Sequence, residues 1–563
     1  MRTKSDYLYT ICLLLNIFFD SCQNVFGPHN KEGNDIVHEK KIELEPIQTA
    51  LQSFFSASEN KSKLLFGDSL FSISEYNNLY ASKNYEPIWL QDDGLPAYTI
   101  QMLQAVQALH YDGIDTSNYA IASLQSQFQF LNTSDYDSLA YFDMALTHTY
   151  FKALHDVLIG SAFESKTNKE WKNKNDTAFV PSQLLASALE TYQFGPLLDS
   201  LKPQHPWYKI FRNEYAKLDT ANNSIRIEKS MIDIQDSVKD GYSAPWIQQL
   251  RKKLFVENNI QIDTTRMLWD SEISETIKTI QAKNLLKQTG KLDSLTWYRL
   301  HESSETKKEK LALNMERFRW LKQTWKEPYI WINIPHMELK YYDQDSIQFA
   351  MRTVVGRTSR PTPTLEAALE NIVLSPPWTV PPTIMEQEIV PGIARKGGRY
   401  LARRGLKAYD RRGRIVDASR INAKNYKSFS IGQAPGYRSS LGEVKFNLPN
   451  PWAIYLHDTP HREDFVKTYR AYSSGCIRVH KPKEFATFLL NDSVKYSYQK
   501  IDSICKLRKT IFIPIKKDIE VFIVYLTTTV DSSGQVIYIK DIYNWDKPDL
   551  EALKSGVKTS RKM

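Results

Sequence analysis

Cysteine is scarce in this chain: four residues (Cys12, Cys22, Cys476 and Cys505) among 563, two of them within the first 22. That excludes a disulfide framework for a protein of this length. No run approaches the ~20 consecutive apolar residues of a membrane-spanning helix. Neither sign of charge dominates, since 73 Lys and Arg face 64 Asp and Glu for a net +9. Apolar residues at 42% and charged residues at 24% fall in the ordinary globular range, which excludes disorder and collagen-like repeats. Aromatics are plentiful, with 31 Tyr, 25 Phe and 12 Trp, enough for more than one core. At roughly 100–200 residues per domain, the length predicts three or four domains.

The beginning reads as an address. Arg2 and Lys4 precede a mostly apolar run from Leu8 to Phe19, closed by Asp20. A charged start, a short apolar core and a polar exit predict a signal peptide or membrane anchor over residues 1–22. The protein is therefore expected to be exported to the periplasm or cell envelope. Cys22 is a candidate lipid acceptor, although Phe19-Asp20-Ser21 before it departs from a lipobox. Residues 23–45, rich in Asn, His, Lys and Glu, read as a tether.

Residues 46–235 read as a helical scaffold. Ser134 stands three before Asp137 as a cap, and Leu139, Phe142, Leu146, Tyr150 and Leu154 follow at helical spacing. The segment from Tyr80 to Trp89 reads as similarly helical. His148 and His155 share that first helix, but no HExxH spacing or cysteine pair accompanies them, so they read as solvated or core histidines rather than metal ligands. Residues 240–301 form a smaller unit. Trp246, Leu250 and Leu254 make one stripe, Ile273, Ile277 and Ile280 a second, and Gly290 stands where a helix would stop. This order resembles a three-helix peptidoglycan-binding module.

From Tyr329 onward the pattern turns to short strands. Tyr329–Pro335, Gln348–Val355 and Trp452–His457 are extended runs, and Val521–Thr529 with Val536–Ile539 reads as a hairpin across Asp531-Ser532-Ser533-Gly534. Lys483–Leu490 reads as a helix set among them. The fold class is multi-domain α+β, with a mainly-β domain over residues 311–515 and a hairpin extension over 516–563.

The chemistry sits in that β region. Ser473-Ser474-Gly475-Cys476-Ile477-Arg478 places Cys476 19 residues after His457. A thiol attacks carbonyl carbon as thiolate, so it needs a base nearby or a positive surrounding. His457 at the end of a strand supplies the base. Gly475 lets the main chain turn sharply and bring amide N–H groups near the reacting carbonyl. Arg478 adds a fixed positive charge. Taken alone, Cys476 would read as a small buried hydrophobe; with His457, Gly475 and Arg478 it reads as a nucleophile.

His457, the 19-residue step and the Ser473–Arg478 run resemble the active-site motif of L,D-transpeptidases with a YkuD-type catalytic domain. Ser474 stands where the usual motif has a second His, and this departure resembles the large multi-domain (YcbB-like) subgroup. Met315–Trp320, Val354-Val355-Gly356 with Pro361-Thr362-Pro363, Pro377–Pro381, Gln433–Gly436, Leu441–Phe446, Pro449-Asn450 and Tyr455–Pro460 support the same likeness. The resemblance implies a cell-wall enzyme in which Cys476 attacks the carbonyl next to the terminal D-alanine of a tetrapeptide stem. His457 would take and return the proton, amides near Gly475 and Cys476 would hold the oxyanion, and a diamino-acid amine of a second stem would resolve the thioester into a 3→3 link. Ser473 and Ser474 belong to the supporting set. Tyr455, on the His457 strand face, either orients that ring or packs as an aromatic; Arg478 either tunes the sulfur or holds the loop. The implied partners are peptidoglycan stem peptides, with no cofactor, no metal, no nucleic acid and membrane contact only through the N-terminus.

One segment is compositionally odd. Twelve basic residues between Ala394 and Lys427 oppose only Asp410 and Asp417, so this stretch carries +10 and the remainder is about neutral. In the similar enzymes an insertion here, about 385–430, is a lid. Arg403, Arg404, Arg411 and Arg412 are therefore candidate binders of stem-peptide carboxylates, against a plain solvated face. Rival functions remain: an L,D-carboxypeptidase or hydrolase if water takes the acyl group, or a non-catalytic wall-binding scaffold, which would need neither Cys476 nor His457.

Overall fold

Apolar residues at helical spacing bury one another first. The computed structural model describes residues 41–555 apart from 58–65, 67–69, 163, 173–178, 221–239, 259, 285, 323–325 and 532. The expected address and most of the tether lie outside the described residues. The long helix Tyr136–Leu158 carries Leu139, Phe142, Leu146, Tyr150 and Leu154 into the core of the N-terminal helical region. Its cap is Asp135, one position beyond the expected Ser134, and its carboxylate accepts the Ser138 N–H at 3.2 Å. His148 hydrogen-bonds the Tyr76 hydroxyl at 2.8 Å and His155 pairs with Asp156 at 3.0 Å, so both are held inside the helical packing.

The expected helix from Tyr80 to Trp89 is corrected. The helix here is Ile73–Ser82, and Asn84 and Tyr85 then take left-handed φ values of 54° and 60°. Pro87 cannot donate to a helix. The freed Ile88 and Trp89 N–H groups instead bind the buried Asp143 carboxylate at 3.0 and 2.7 Å.

Helices Pro245–Asn258, Ser271–Lys283 and Ser294–Leu300 pack around their own core, which contains both expected stripes. Arg251, fully buried, clamps Asp270 at 2.5 Å and Glu272 at 2.7 Å. Gly290 does not end a helix; the preceding one stops at Lys283. Gly290 is left-handed at φ +68°, and its N–H is held by Gln281 Oε1 at 2.9 Å.

The strands, in chain order, are β1 Tyr329–Asn333, β2 Glu338–Asp343, β3 Ser346–Gly356, β4 Leu365–Ala368, β5 Asn371–Leu374, β6 Trp378–Thr379, β7 Lys407–Tyr409, β8 Ile415–Val416, β9 Ser430–Gln433, β10 Val444–Asn447, β11 Leu456–His457, β12 Ala471–Ser473, β13 Ile477–Val479, β14 Ile511–Pro514, β15 Glu520–Val524, β16 Thr528–Val530 and β17 Val536–Tyr538. The main sheet runs β14-β5-β10-β11-β13-β3-β2-β1-β15-β4, with β12 beside β3. Helices Pro206–Thr220 and Ser304–Arg319 contribute to the same core as this sheet. The hairpin expected from Val521 is corrected: β15 is an interior strand parallel to β1, and only β16 and β17 form the hairpin. Val521–Val524 are buried within the sheet core, so their apolar run marks an interior strand rather than a hairpin arm.

A second small sheet, β6-β9-β7-β8, and the helices between Pro382 and Arg403 enclose a separate cluster of Val380, Ile389, Ile393, Leu401, Leu406, Ala408, Ile421 and Ile431. The basic stretch is thus the outside of a miniature folded unit. Three segments distant in sequence are tied by Arg317, fully buried, which binds Asp546 at 2.7 Å and Asp549 at 2.9 Å. Asp549 also accepts the Ser165 hydroxyl at 2.9 Å and the Lys166 N–H at 2.8 Å.

Candidate active site

Strand register brings the candidate residues together. β11 and β13 are parallel, with Leu456 opposite Ile477 and His457 opposite Arg478. β10 lies antiparallel on the other side of β11, with Lys445 opposite His457. Side chains alternate with period two. Leu456, Ile477 and Phe446 therefore point into the core, where all three are fully buried. Tyr455, His457, Cys476, Arg478 and Lys445 share the other face. The Ile477 N–H donates to the Tyr455 carbonyl at 3.1 Å, which fixes the two strands at the level of the thiol.

His457 is buried and its Nδ1 lies against the backbone carbonyl of Asp458. A carbonyl only accepts, so Nδ1 carries the proton and Nε2 keeps its lone pair. Burial, with the positive charges of Arg478 and Lys445, pushes the imidazole pKa down to about 3. Burial also pushes the Cys476 thiol above its ordinary value, while hydrogen bonds from Tyr455 and the charges of Lys445 and Arg478 pull the other way without overcoming it. The resting pair is therefore thiol and neutral imidazole, not thiolate and imidazolium.

The Cys476 thiol donates to the Ala453 carbonyl at 3.7 Å, and the Tyr455 ring meets His457 edge-on with centroids 5.7 Å apart. The two roles left open for Tyr455 coincide, since its ring packs against the imidazole edge-on and so limits the orientation of that ring. Arg478 donates to Asp464 at 3.2 Å, and its charge pulls the Cys476 thiol pKa down against the larger effect of burial, so both roles left open for it have a basis in the structure.

The turn before the thiol is held from several sides. Ser473 donates its hydroxyl to the Cys476 carbonyl at 2.6 Å and accepts the Gly475 N–H at 3.1 Å. That engages the Gly475 amide, so of the two amides expected to face an oxyanion, the Cys476 N–H is the available one. Gly475 sits at φ +118°, a conformation that other residues rarely adopt. Its carbonyl accepts the buried Thr362 hydroxyl at 2.7 Å. Tyr543, near the C-terminus, accepts the Thr362 N–H at 3.2 Å and donates to the Gly356 carbonyl at 2.6 Å. Ser474 is exposed and meets Arg360 Nη1 at 3.2 Å.

The basic residues do not act alike. Arg403, Arg411 and Arg412 are exposed, and among the described residues their side chains make no ion pair. Arg404 binds Glu388 at 3.3 Å, and the same carboxylate takes Arg357 at 2.9 Å and Arg360 at 2.8 Å. Several site residues carried no assigned role from sequence. Lys445, whose Nζ stands 4.1 Å over the Tyr455 ring, was legible from its alternation with inward Val444 and Phe446. Thr362 stood in the Pro361-Thr362-Pro363 run without a role, and Glu388 and Tyr543 gave no local signal; only the folding of distant segments brings them here.

Cys476, His457 and the residues around them, Tyr543 excepted, lie within the residues that match a known family. Residues 327–509 match the L,D-transpeptidase catalytic domain family and residues 74–214 match a scaffold domain. The mainly-β C-terminal part thus has the L,D-transpeptidase fold, and a helical region precedes it. A curated Haemophilus influenzae protein named "Putative L,D-transpeptidase" is 32% identical over 295 residues. The match covers 52% of this chain and 56% of that relative, so the chain spans little more than half the relative's length. Among solved structures, the L,D-transpeptidase from Xylanimonas cellulosilytica is 10% identical with a TM-score of 0.18, covering 51% of this chain and 96% of that one. The Ldtfm–avibactam carbamoyl enzyme is 9% identical with a TM-score of 0.19, covering 47% and 84%.

Proposed function

We propose that this protein crosslinks peptidoglycan by L,D-transpeptidation, joining two stem peptides 3→3 through a Cys476 thioester. Cys476 Sγ forms a bond to the carbonyl carbon of the third stem residue while its proton passes to His457 Nε2. The C–N bond to terminal D-alanine breaks, and His457 returns the proton to the departing amine. The side-chain amine of a diamino acid on a second stem then displaces the thiol, which regains its proton through His457. The Cys476 N–H serves the oxyanion, and the neighbouring Gly475 carbonyl is fixed by Thr362. The carrying observation is the shared face of Cys476 and His457, with Nε2 left free by the Asp458 carbonyl.

Mass spectrometry of tetrapeptide stems incubated with purified protein tests this. The expected products are 3→3 dimers, one free D-alanine per dimer and an acyl adduct on Cys476. Release of D-alanine without dimers would make the protein a carboxypeptidase. Cys476→Ala abolishes adduct and dimers, whereas Cys505→Ala leaves both, because that thiol is buried and its pKa is pushed up to about 11. A peptidoglycan substrate lies outside the cytoplasmic membrane, which accords with the export expected from residues 1–22. Full-length protein should fractionate with the envelope, and a chain starting near Asn24 with the soluble cytosol.

A further inference from the structure

Glu388 is one carboxylate among three guanidinium groups. Arg357 and Arg360 stand on the loop that follows β3, and Arg404 stands on the basic unit. One negative charge against three positive ones leaves the cluster about +2. Burial alone would raise the Glu388 pKa, but Arg357, Arg360 and Arg404 outweigh it and hold the carboxyl below its ordinary range. Donor capacity is also in surplus, because Arg357 Nε is buried without a hydrogen-bond partner among the described residues.

The cluster adjoins the thiol. Arg360 Nη1, 2.8 Å from Glu388, also reaches the Ser474 hydroxyl at 3.2 Å, two residues from Cys476. The Arg357 N–H donates to the Ser473 carbonyl at 3.0 Å. Glu388 comes from the other side, in a single π-helical turn over Met385–Ile389 at the start of the basic unit, where Gln387 accepts from Arg360 Nε at 2.7 Å. Arg pairs with carboxylates through parallel N–H donors, so a planar carboxylate from a ligand satisfies these groups as well as Glu388 does.

We infer that Arg357, Arg360 and Arg404 form a carboxylate-binding subsite beside Cys476, that Glu388 occupies it in the free protein as an internal stand-in, and that a stem-peptide carboxylate displaces Glu388 on binding. The inference rests on the transpeptidase reading for its ligand. The exchange couples occupancy to the basic unit, since losing Glu388 from Arg357 and Arg360 unties its first turn from the catalytic loop.

Binding is measured with the Cys476→Ser protein, so that no transfer step enters. The probes are a tetrapeptide stem whose diamino acid carries a second carboxylate, the same stem with the terminal carboxylate amidated, and the same stem with the diamino-acid carboxylate amidated. One amidation should weaken binding about tenfold, as loss of a charge-assisted pair predicts, and so identify which carboxylate is read. Arg357→Gln and Arg360→Gln should erase that preference, while Arg360→Lys retains part of it. Glu388→Gln should tighten the free-carboxylate stem several-fold and leave the matching amide unchanged. Iodoacetamide labelling of Cys476 in the corresponding thiol-containing variants checks that the loop still folds. A preference that survives both Arg→Gln changes overturns the subsite, as does wild-type indifference to either amidation. Equal weakening of all three stems by Glu388→Gln overturns the stand-in role. If the preference holds but no acyl adduct ever forms, the subsite stands and the transpeptidase reading fails.

Discussion

Substituting His457 by Gln separates a neutral buried imidazole from a charged one. The folded-state pKa is about 3 against an ordinary 6.5, so between these values the unfolded chain binds a proton that the native chain refuses. Stability therefore rises with pH across that window and is lost as pH falls below about 6.5. At ~1.36 kcal/mol per pH unit, the full interval corresponds to about 5 kcal/mol, and about half of it is already lost at pH 4.5. The His457→Gln protein has no such proton to refuse. Urea unfolding of both proteins from pH 7.5 to 4.5 should show the wild type losing about 2–3 kcal/mol more than His457→Gln, since ionisations common to both cancel in the difference. The same assignment predicts that Cys476 acylation by a stem peptide stays level down to pH 4.5 in the wild type and falls by about 10²–10⁴ in the variant. Parallel stability curves, together with an acid limb of the rate near pH 6.5, would refute the neutral resting pair.

Three further outcomes follow from the same structure. Arg317→Met strands the Asp546 and Asp549 carboxylates inside the protein and should cost about 3–5 kcal/mol by chemical unfolding, whereas loss of an exposed pair such as Arg414–Asp410 should leave the unfolding midpoint nearly unchanged. Gly475→Ala forces a side chain onto φ +118° and should cost about 1–3 kcal/mol, with acylation slowed at least about tenfold as the thiol is displaced. Reversing the unpaired Arg403, Arg411 and Arg412 to Glu should raise KM for the stem peptide and flatten its salt dependence, with iodoacetamide labelling of Cys476 unchanged; unaltered kinetics on polymeric peptidoglycan would leave this surface as a solvated face.

Features that local chemistry encodes were legible along the chain. Helical periodicity placed Leu139 to Leu154 and both stripes of the three-helix unit, because burial of one face every 3.6 residues needs no distant partner. The Cys476/His457 spacing and the Ser473–Arg478 turn were equally legible, since the glycine and the strand alternation act within a few residues. The lengths of local elements were less so: Pro87 and the buried Asp143 carboxylate ended a helix that composition alone extended. Whatever depends on pairing waited for the folded molecule. β15 reads like a hairpin arm until β1 lies beside it, and the alternation that turns Lys445 away from the core does not say that it lies opposite His457. The protonation state of the reacting pair belongs to the same class. Desolvation is a property of everything packed around a group, so no spacing of residues along the chain announces that His457 is neutral, that the Gly475 amide is engaged, or that Glu388 fills a nest of arginines drawn from two separate loops.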